Sequence, residues 1–127
     1  MAFEVIAIML GVEDLARSKR FYEELGGKID QDYPNFVSLE LGDGSSSLAL
    51  YEWEAAAKDA GVPAEGSGFR GASFHHIVSS REAVDAAMSR AVAAGAKVVR
   101  EAAEVPYGYF GYFSDPDGYL WKVASGS

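Results

Sequence analysis

The sequence predicts an α+β domain built from two copies of one half-domain, and three observations carry that expectation. Read against itself at an offset of 66 to 74 residues, the chain repeats an apolar strand, a capped helix, a Gly-Lys-apolar strand and a strand-Asp-Gly-strand hairpin. Each copy holds one well-marked helix among several short strands. A length of 127 residues suits one domain with a real core and leaves no room for two independent ones. A period of this size is too long for a solenoid unit, so the two copies imply half-domains closing on one another.

In the first copy, Ala7 to Val12 is an apolar strand, followed by a helix from Asp14 to Leu25. Asp14 is placed as its N-cap, Leu15, Ser18, Tyr22 and Leu25 form one stripe, and Gly26-Gly27 stops it. Strands follow at Gly27-Lys28-Ile29, Phe36 to Leu41 and Leu48 to Tyr51, with Gly42-Asp43-Gly44 supplying the hairpin. Glu54 to Ala60 forms a short helix, and the breaker-rich run 61–68 is the connector. In the second copy, Ser73 to Val78 is a strand and Ser79-Ser80-Arg81-Glu82 reads as a capping box, with Glu82 reaching back to the Ser79 amide. The helix Glu82 to Ala94 buries Val84, Met88 and Ala91 and ends at Gly95. Gly95 to Val98, Tyr109 to Ser114 and Leu120 to Val123 are strands, the last two joined by Asp115-Pro116-Asp117-Gly118. One domain is expected over 1–127, with a first module at about 1–52, a connector at 53–72 and a second module at about 73–127.

The formal charge of −8 argues against nucleic acid, whose affinity comes mostly from Lys and Arg on phosphates. No apolar run approaches the ~20 residues of a bilayer span, and Met1-Ala2-Phe3-Glu4 lacks a basic leader, so no membrane partner and a cytoplasmic location are expected. Without cysteine there is no disulfide framework, thiolate zinc site or cysteine nucleophile. The partner expected is a small molecule, cationic or neutral.

Two stretches resemble the vicinal oxygen chelate superfamily, which includes glyoxalase I, extradiol dioxygenases, fosfomycin resistance enzymes and bleomycin resistance proteins. They are the run Gly11 to Gly26 around Asp14-Leu15 and Phe21-Tyr22, and the ending Tyr112-Phe113-Ser114-Asp115-Pro116-Asp117-Gly118-Tyr119-Leu120-Trp121. The resemblance implies paired βαβββ modules that form a curled mixed sheet, a half-barrel around a cleft, with helices on the outer face. It also implies a homodimer. It leaves function open, because the family holds both metalloenzymes and binding proteins that catalyse nothing.

In the family's enzymes, His, Gln or Glu side chains from the first and last strand of each module converge on a divalent ion. Mapped through Val12, Val78 and the hairpin glycines, those positions are Ala7, Leu50, Ser73 and Lys122. Ala7 and Leu50 have no donor atoms, a serine hydroxyl is weak, and Lys122 replaces the expected carboxylate with a charge that repels a cation. A slip of two residues would bring in Met9, Glu52 and His75, still only one imidazole and one carboxylate. No metal ligands, no catalytic residues and no cofactor are therefore assigned.

Strand alternation puts Ser73 and His75 on the face of the ligand positions, and Phe74 and His76 on the other. Tyr107, Tyr109, Phe110, Tyr112, Phe113, Tyr119 and Trp121 crowd the second module, and Trp53 closes the first. Tyr109 should face opposite to Phe110 and Tyr112, and one of these sets lines the cleft. Tyr107 resembles the family's rim aromatic. The candidate ligand contacts are His75, Lys122, Ser73, Leu50, Met9, Trp53, Tyr107, Tyr109, Phe110 and Tyr112. They point to a metal-independent binding protein similar to the antibiotic-sequestering members, for an aromatic or cationic ligand. The alternative is a lyase, isomerase or dioxygenase that uses a shifted metal site or His75 and Lys122 as acid-base groups.

Overall fold

The structure, a computed structural model, describes residues 4–66 and 68–126, so Met1, Ala2 and Phe3 of the expected non-leader N-terminus, Ser67 of the connector and the final Ser127 lie outside the described residues. The chain divides between Glu65 and Gly66 into two units. In the first, the elements are β1 (Ala7–Val12), α1 (Leu15–Glu24), β2 (Lys28–Tyr33), β3 (Phe36–Glu40), β4 (Ser47–Glu52) and α2 (Trp53–Ala60). In the second they are β5 (Ser73–Ile77), α3 (Arg81–Ala94), β6 (Lys97–Val105), β7 (Gly108–Ser114) and β8 (Leu120–Ser125). Each unit is a βαβββ module with one four-stranded mixed sheet, ordered β1-β4-β3-β2 in one and β5-β8-β7-β6 in the other. The first strand of each module pairs in parallel with the last, and the remaining pairs are antiparallel. The expected α+β class holds.

Local chemistry sets the helix ends. Asp14 has extended backbone and its carboxylate accepts from the Arg17 amide at 3.0 Å, satisfying one of the free donors of the first turn. At the other end Gly27 N–H donates to Tyr22 O at 2.8 Å and Gly26 N–H to Glu23 O at 3.0 Å, the paired bonds of a left-handed helix stop. Gly26 has φ of 112°, and a Cβ on Gly27 would stand 2.9 Å from Tyr22 O, so both glycines are required there. Helix α3 corrects the expected capping box. Its cap is Ser80, whose Oγ accepts from the Ala83 amide at 3.1 Å. The helix begins at Arg81, so Ser79 stands one residue too early and Glu82 falls in the first turn without its reciprocal role.

The core of the first module lies between α1 and one face of its sheet. Leu10, Val12, Val37, Leu39, Leu48 and Leu50 are each at most 3% exposed and meet Ser18, Phe21 and Tyr22 of the helix, which are equally buried. Phe21 and Tyr22 pack edge to face at 4.9 Å. In the second module Val84, Met88 and Ala91 of α3 form the expected buried stripe, and Phe113 and Val123 are buried on the sheet. Trp121 stacks on Phe113 at 6.3 Å and meets Phe74 at 5.0 Å. The β7–β8 turn is organised by Asp115, itself 3% exposed, whose Oδ1 accepts from the amides of Asp117 and Tyr119 at 2.9 and 2.8 Å. Among the described residues no helix is long and apolar enough to cross a membrane.

Candidate ligand-binding face

Across the second sheet one row of side chains is in register on all four strands. His75 on β5 pairs with Lys122 on β8, Lys122 with Tyr112 on β7, and Tyr112 with Arg100 on β6. Directly paired residues project to the same side of a sheet and their chain neighbours to the other. The Tyr109 hydroxyl donates to Asp85 Oδ1 of α3 at 2.7 Å, which identifies the helix side. The row therefore occupies the face turned away from α3.

That face is an aromatic platform carrying positive charge. Phe110 lies along β7 from Tyr112, the rings meeting edge to face at 6.0 Å, and Tyr107 from the β6–β7 turn lies nearly parallel to Phe110 at 6.3 Å. Lys122 Nζ stands 4.3 Å from the Phe110 centroid and 6.0 Å from that of Tyr112, while the Arg100 guanidinium stands 4.6 Å from Phe110. Cations sit in this way because the ring face is the negative end of its quadrupole. Covered by its neighbours, Phe110 is only 5% exposed. His75 is exposed, with its Nε2 at 3.1 Å from Ser73 Oγ.

The other expected contacts are distributed differently. Tyr109 is held on the α3 side by Asp85, with the Arg81 guanidinium 5.1 Å from its ring centroid. The bond to Asp85 pushes the Tyr109 hydroxyl above its ordinary pKa, assisted by desolvation and opposed by Arg81. Met9 is 41% exposed on β1 of the first module. Trp53 opens α2 in that module, and its indole N–H donates to Ala64 O at 2.6 Å, so it ties the start of the connector to the helix. Leu50 calls for a correction of the mapping. It pairs with Leu10 and Val37 and is fully buried on the α1 side, while the partner of Met9 is Ala49. Since Met9 stands to Ala49 as His75 stands to Lys122, the counterpart of Lys122 in the first module is Ala49.

Arg100 was not among the expected contacts, and the reason is a bulge. Val98 pairs with Phe113, which faces α3, so strict alternation assigns Arg100 to the helix side as well. The register shift between Val98 and Arg100 inserts Val99 as an extra residue and turns Arg100 to the Tyr112 side. A second shift follows between Arg100 and Ala103, opposite Gly111. A Cβ on Gly111 would stand 3.0 Å from both Arg100 O and Ala102 N, so the bulged strand can lie this close only because residue 111 is glycine. A glycine in the middle of β7 is the signal that was available in the sequence.

A groove of about 410 Å³ lies elsewhere, between α3 and β6, lined by Asp85, Met88, Ser89, Val92, Val98, Glu101 and Ala102. It offers two carboxylates and a hydroxyl but no imidazole, ammonium or aromatic ring, and Asp85 is already engaged by Tyr109. The convergence of chemically distinct groups is on the platform.

Fold and face together define a protein of duplicated βαβββ modules with an aromatic, cation-bearing sheet surface. The chain belongs to the Glyoxalase/Bleomycin resistance protein/Dioxygenase superfamily, whose family model matches residues 5–123. Over 98 residues it is 34% identical to an uncharacterised protein of Arabidopsis thaliana; the match covers 76% of this chain and 55% of that protein, so the chain spans about half of that relative's length. Its fold is similar to that of a glyoxalase-related enzyme from Fulvimarina pelagi, with TM-score 0.84 and 32% identity over 96% of this chain and 87% of the other. It is also similar in fold to a lactoylglutathione lyase from Agrobacterium tumefaciens, with TM-score 0.72 and 22% identity over 97% and 93% of the two chains.

The residues at the family's metal positions do not fit a divalent ion. Register makes them Ala7, Ala49, Ser73 and Lys122, with Met9 and His75 two residues along their strands on the same face. Among the described residues no group of three or more His, Cys, Asp or Glu side chains is placed to hold a metal. One imidazole beside an ammonium is a poor start for such a site, because the ammonium repels the ion the imidazole would bind.

Proposed function

We propose that this chain is a metal-independent small-molecule binding protein, akin to the antibiotic-sequestering branch of its superfamily, and that it holds a planar organic ligand on the open face of the second sheet. The observation that carries this reading is Lys122, packed at 4.3 Å over Phe110 in the register position where the superfamily's enzymes carry a metal-binding carboxylate. Flat rings supply apolar contact with little rotamer entropy to lose, and the tip of Tyr112 and the His75 imidazole supply orientation. Of the aromatic and cationic ligands that the sequence suggests, these rings favour an aromatic one.

A second reading keeps catalysis. Ser73, His75 and Lys122 lie together, with Ser73 Oγ 3.1 Å from His75 Nε2 and His75 paired to Lys122. This arrangement supports acid-base work on a bound ligand, as in a lyase or isomerase. The two readings separate in one experiment. Purified protein is analysed for bound metal and titrated with nickel, zinc, manganese and iron, read by thermal shift. A genuine site saturated a hundredfold above its Kd stabilises by about 2.7 kcal/mol, a rise of several degrees. Binding alone predicts no shift and recovery of the ligand unaltered after incubation. A metal-dependent shift abolished by His75→Ala, or a converted ligand, would defeat it.

A further inference from the structure

From the row across the second sheet we infer that the site selects an organic anion, namely a planar carboxylate whose ring lies against Tyr112 and whose charged group is taken by Lys122 and Arg100. This rests on the reading of that face as the ligand site and adds the sign of the ligand's charge. The first ground is charge imbalance. Lys19 is paired with Asp32 and Arg81 with Glu104 at 3.1 Å. Among the described residues Lys122 and Arg100 have no carboxylate partner, although the chain as a whole carries eight more acidic than basic charges. Both stand within 5 Å of the same ring centroid, so they are separated by no more than the sum of those two distances. Two like charges held that close repel, and an anion beside them relieves the repulsion.

The second ground is geometry. Lys122 and Arg100 flank Tyr112 as its partners on either side, so one position over that ring is within reach of an ammonium and a guanidinium. A guanidinium presents parallel N–H donors that match the two oxygens of a carboxylate, and the ammonium adds a compact charge. The third ground is that Arg100 reaches this face only through the extra residue at Val99, in a strand that can bulge because Gly111 has no Cβ. Without that bulge the second cation would face α3.

The test uses the whole chain and three isosteric probes: naphthoate, naphthamide and naphthylmethylammonium. Titrations are followed by calorimetry and by NMR shifts at Tyr112, Lys122 and Arg100. We expect naphthoate to bind roughly tenfold or more tighter than naphthamide, with the ammonium weakest, and its affinity to fall with added salt. Lys122→Gln and Arg100→Gln should each weaken naphthoate roughly tenfold and weaken naphthamide much less, whereas Lys58→Gln on α2 should change neither. Melting curves establish that the variants fold.

Equal affinity for naphthoate and naphthamide overturns the inference, as does tighter binding of the ammonium or indifference to both Gln variants. If naphthamide still binds and Tyr112→Leu weakens it, the face remains the ligand site and only its charge preference is lost. Absence of any shift at the row with all three probes overturns both proposals. A requirement for added metal, or recovery of altered naphthoate, overturns the metal-independent reading and leaves the charge preference standing.

Discussion

Replacing Leu50 by alanine tests the corrected strand register directly. Leu50 is fully buried, and its paired neighbours Leu10 and Val37 are 3% and 1% exposed. Truncation removes three carbons, which at ~0.8 kcal/mol per methylene is about 2.4 kcal/mol of lost transfer energy. The surrounding side chains belong to a sheet and a packed helix and collapse only partly into the gap, which raises the total to about 3 kcal/mol. Met9→Ala is the matched control, because Met9 is 41% exposed and its loss should cost about 1 kcal/mol or less. In urea, with a slope of roughly 1 to 3 kcal/mol per molar, Leu50→Ala should lower the midpoint by about 1 M or more and Met9→Ala by a fraction of that. Affinity per folded molecule for a ligand on the second sheet should be unaffected by Leu50→Ala. The reasoning fails if Leu50→Ala costs no more than Met9→Ala, since Leu50 would then share the open face with the expected ligand contacts.

Ser80→Ala should destabilise by about 1 kcal/mol and Ser79→Ala by only a few tenths, measured as paired urea midpoints; the reverse order would restore the capping box. Asp115→Ala removes the acceptor of two part-buried backbone donors and should cost about 1 to 2 kcal/mol, whereas Asp115→Asn, which still presents an oxygen to Asp117 and Tyr119, should recover most of that. Tyr109→Phe removes the link to Asp85 on α3. Because the Tyr109 hydroxyl titrates above its ordinary value of 10.0 in the folded state, its contribution is complete at neutral pH and is lost as pH rises through the folded value. The melting difference between the wild type and Tyr109→Phe should therefore be flat below about pH 10 and shrink above it; a difference that shrinks on acidification to pH 6 would contradict this assignment.

What was legible in the sequence was whatever local chemistry determines. Asp14 and Gly26-Gly27 bracket α1 because an N-cap and a left-handed stop act within a turn or two of the chain. The buried stripe of α3 follows from spacing alone. Alternation also assigned Ser73 and His75 to one face and Tyr109 to the side opposite Phe110 and Tyr112. Legibility ended where a count had to pass through irregular backbone. The mapping to Leu50 is displaced by one residue across the turn between β3 and β4, and in a strand one residue moves a side chain to the opposite face of the sheet. Arg100 was hidden by the extra residue at Val99, which no pattern of apolar and polar residues announces.

The duplication shows why chemistry gathers in one half. In the first sheet the equivalent row runs Met9, Ala49, Ser38 and Gln31, read through the same pairings, and its outer strand also shifts register, between Ile29 and Gln31. The backbone device that turns Arg100 onto its face is therefore present in both copies, and only the side chains differ. Where the second module has imidazole, ammonium, phenol and guanidinium, the first has a thioether, a methyl, a hydroxyl and an amide, the last two 3.4 Å apart. The first row carries no charge. Ala49 and Ser38 are also buried, at 7% and 8% exposure, where Lys122 and Tyr112 are half-buried, so Ala49→Lys, which buries an ammonium with no carboxylate in its row, should destabilise the fold by about 2 kcal/mol or more, read as a lowered urea midpoint. A midpoint unchanged by Ala49→Lys would show that this face of the first sheet accepts a charge and that burial does not separate the two rows.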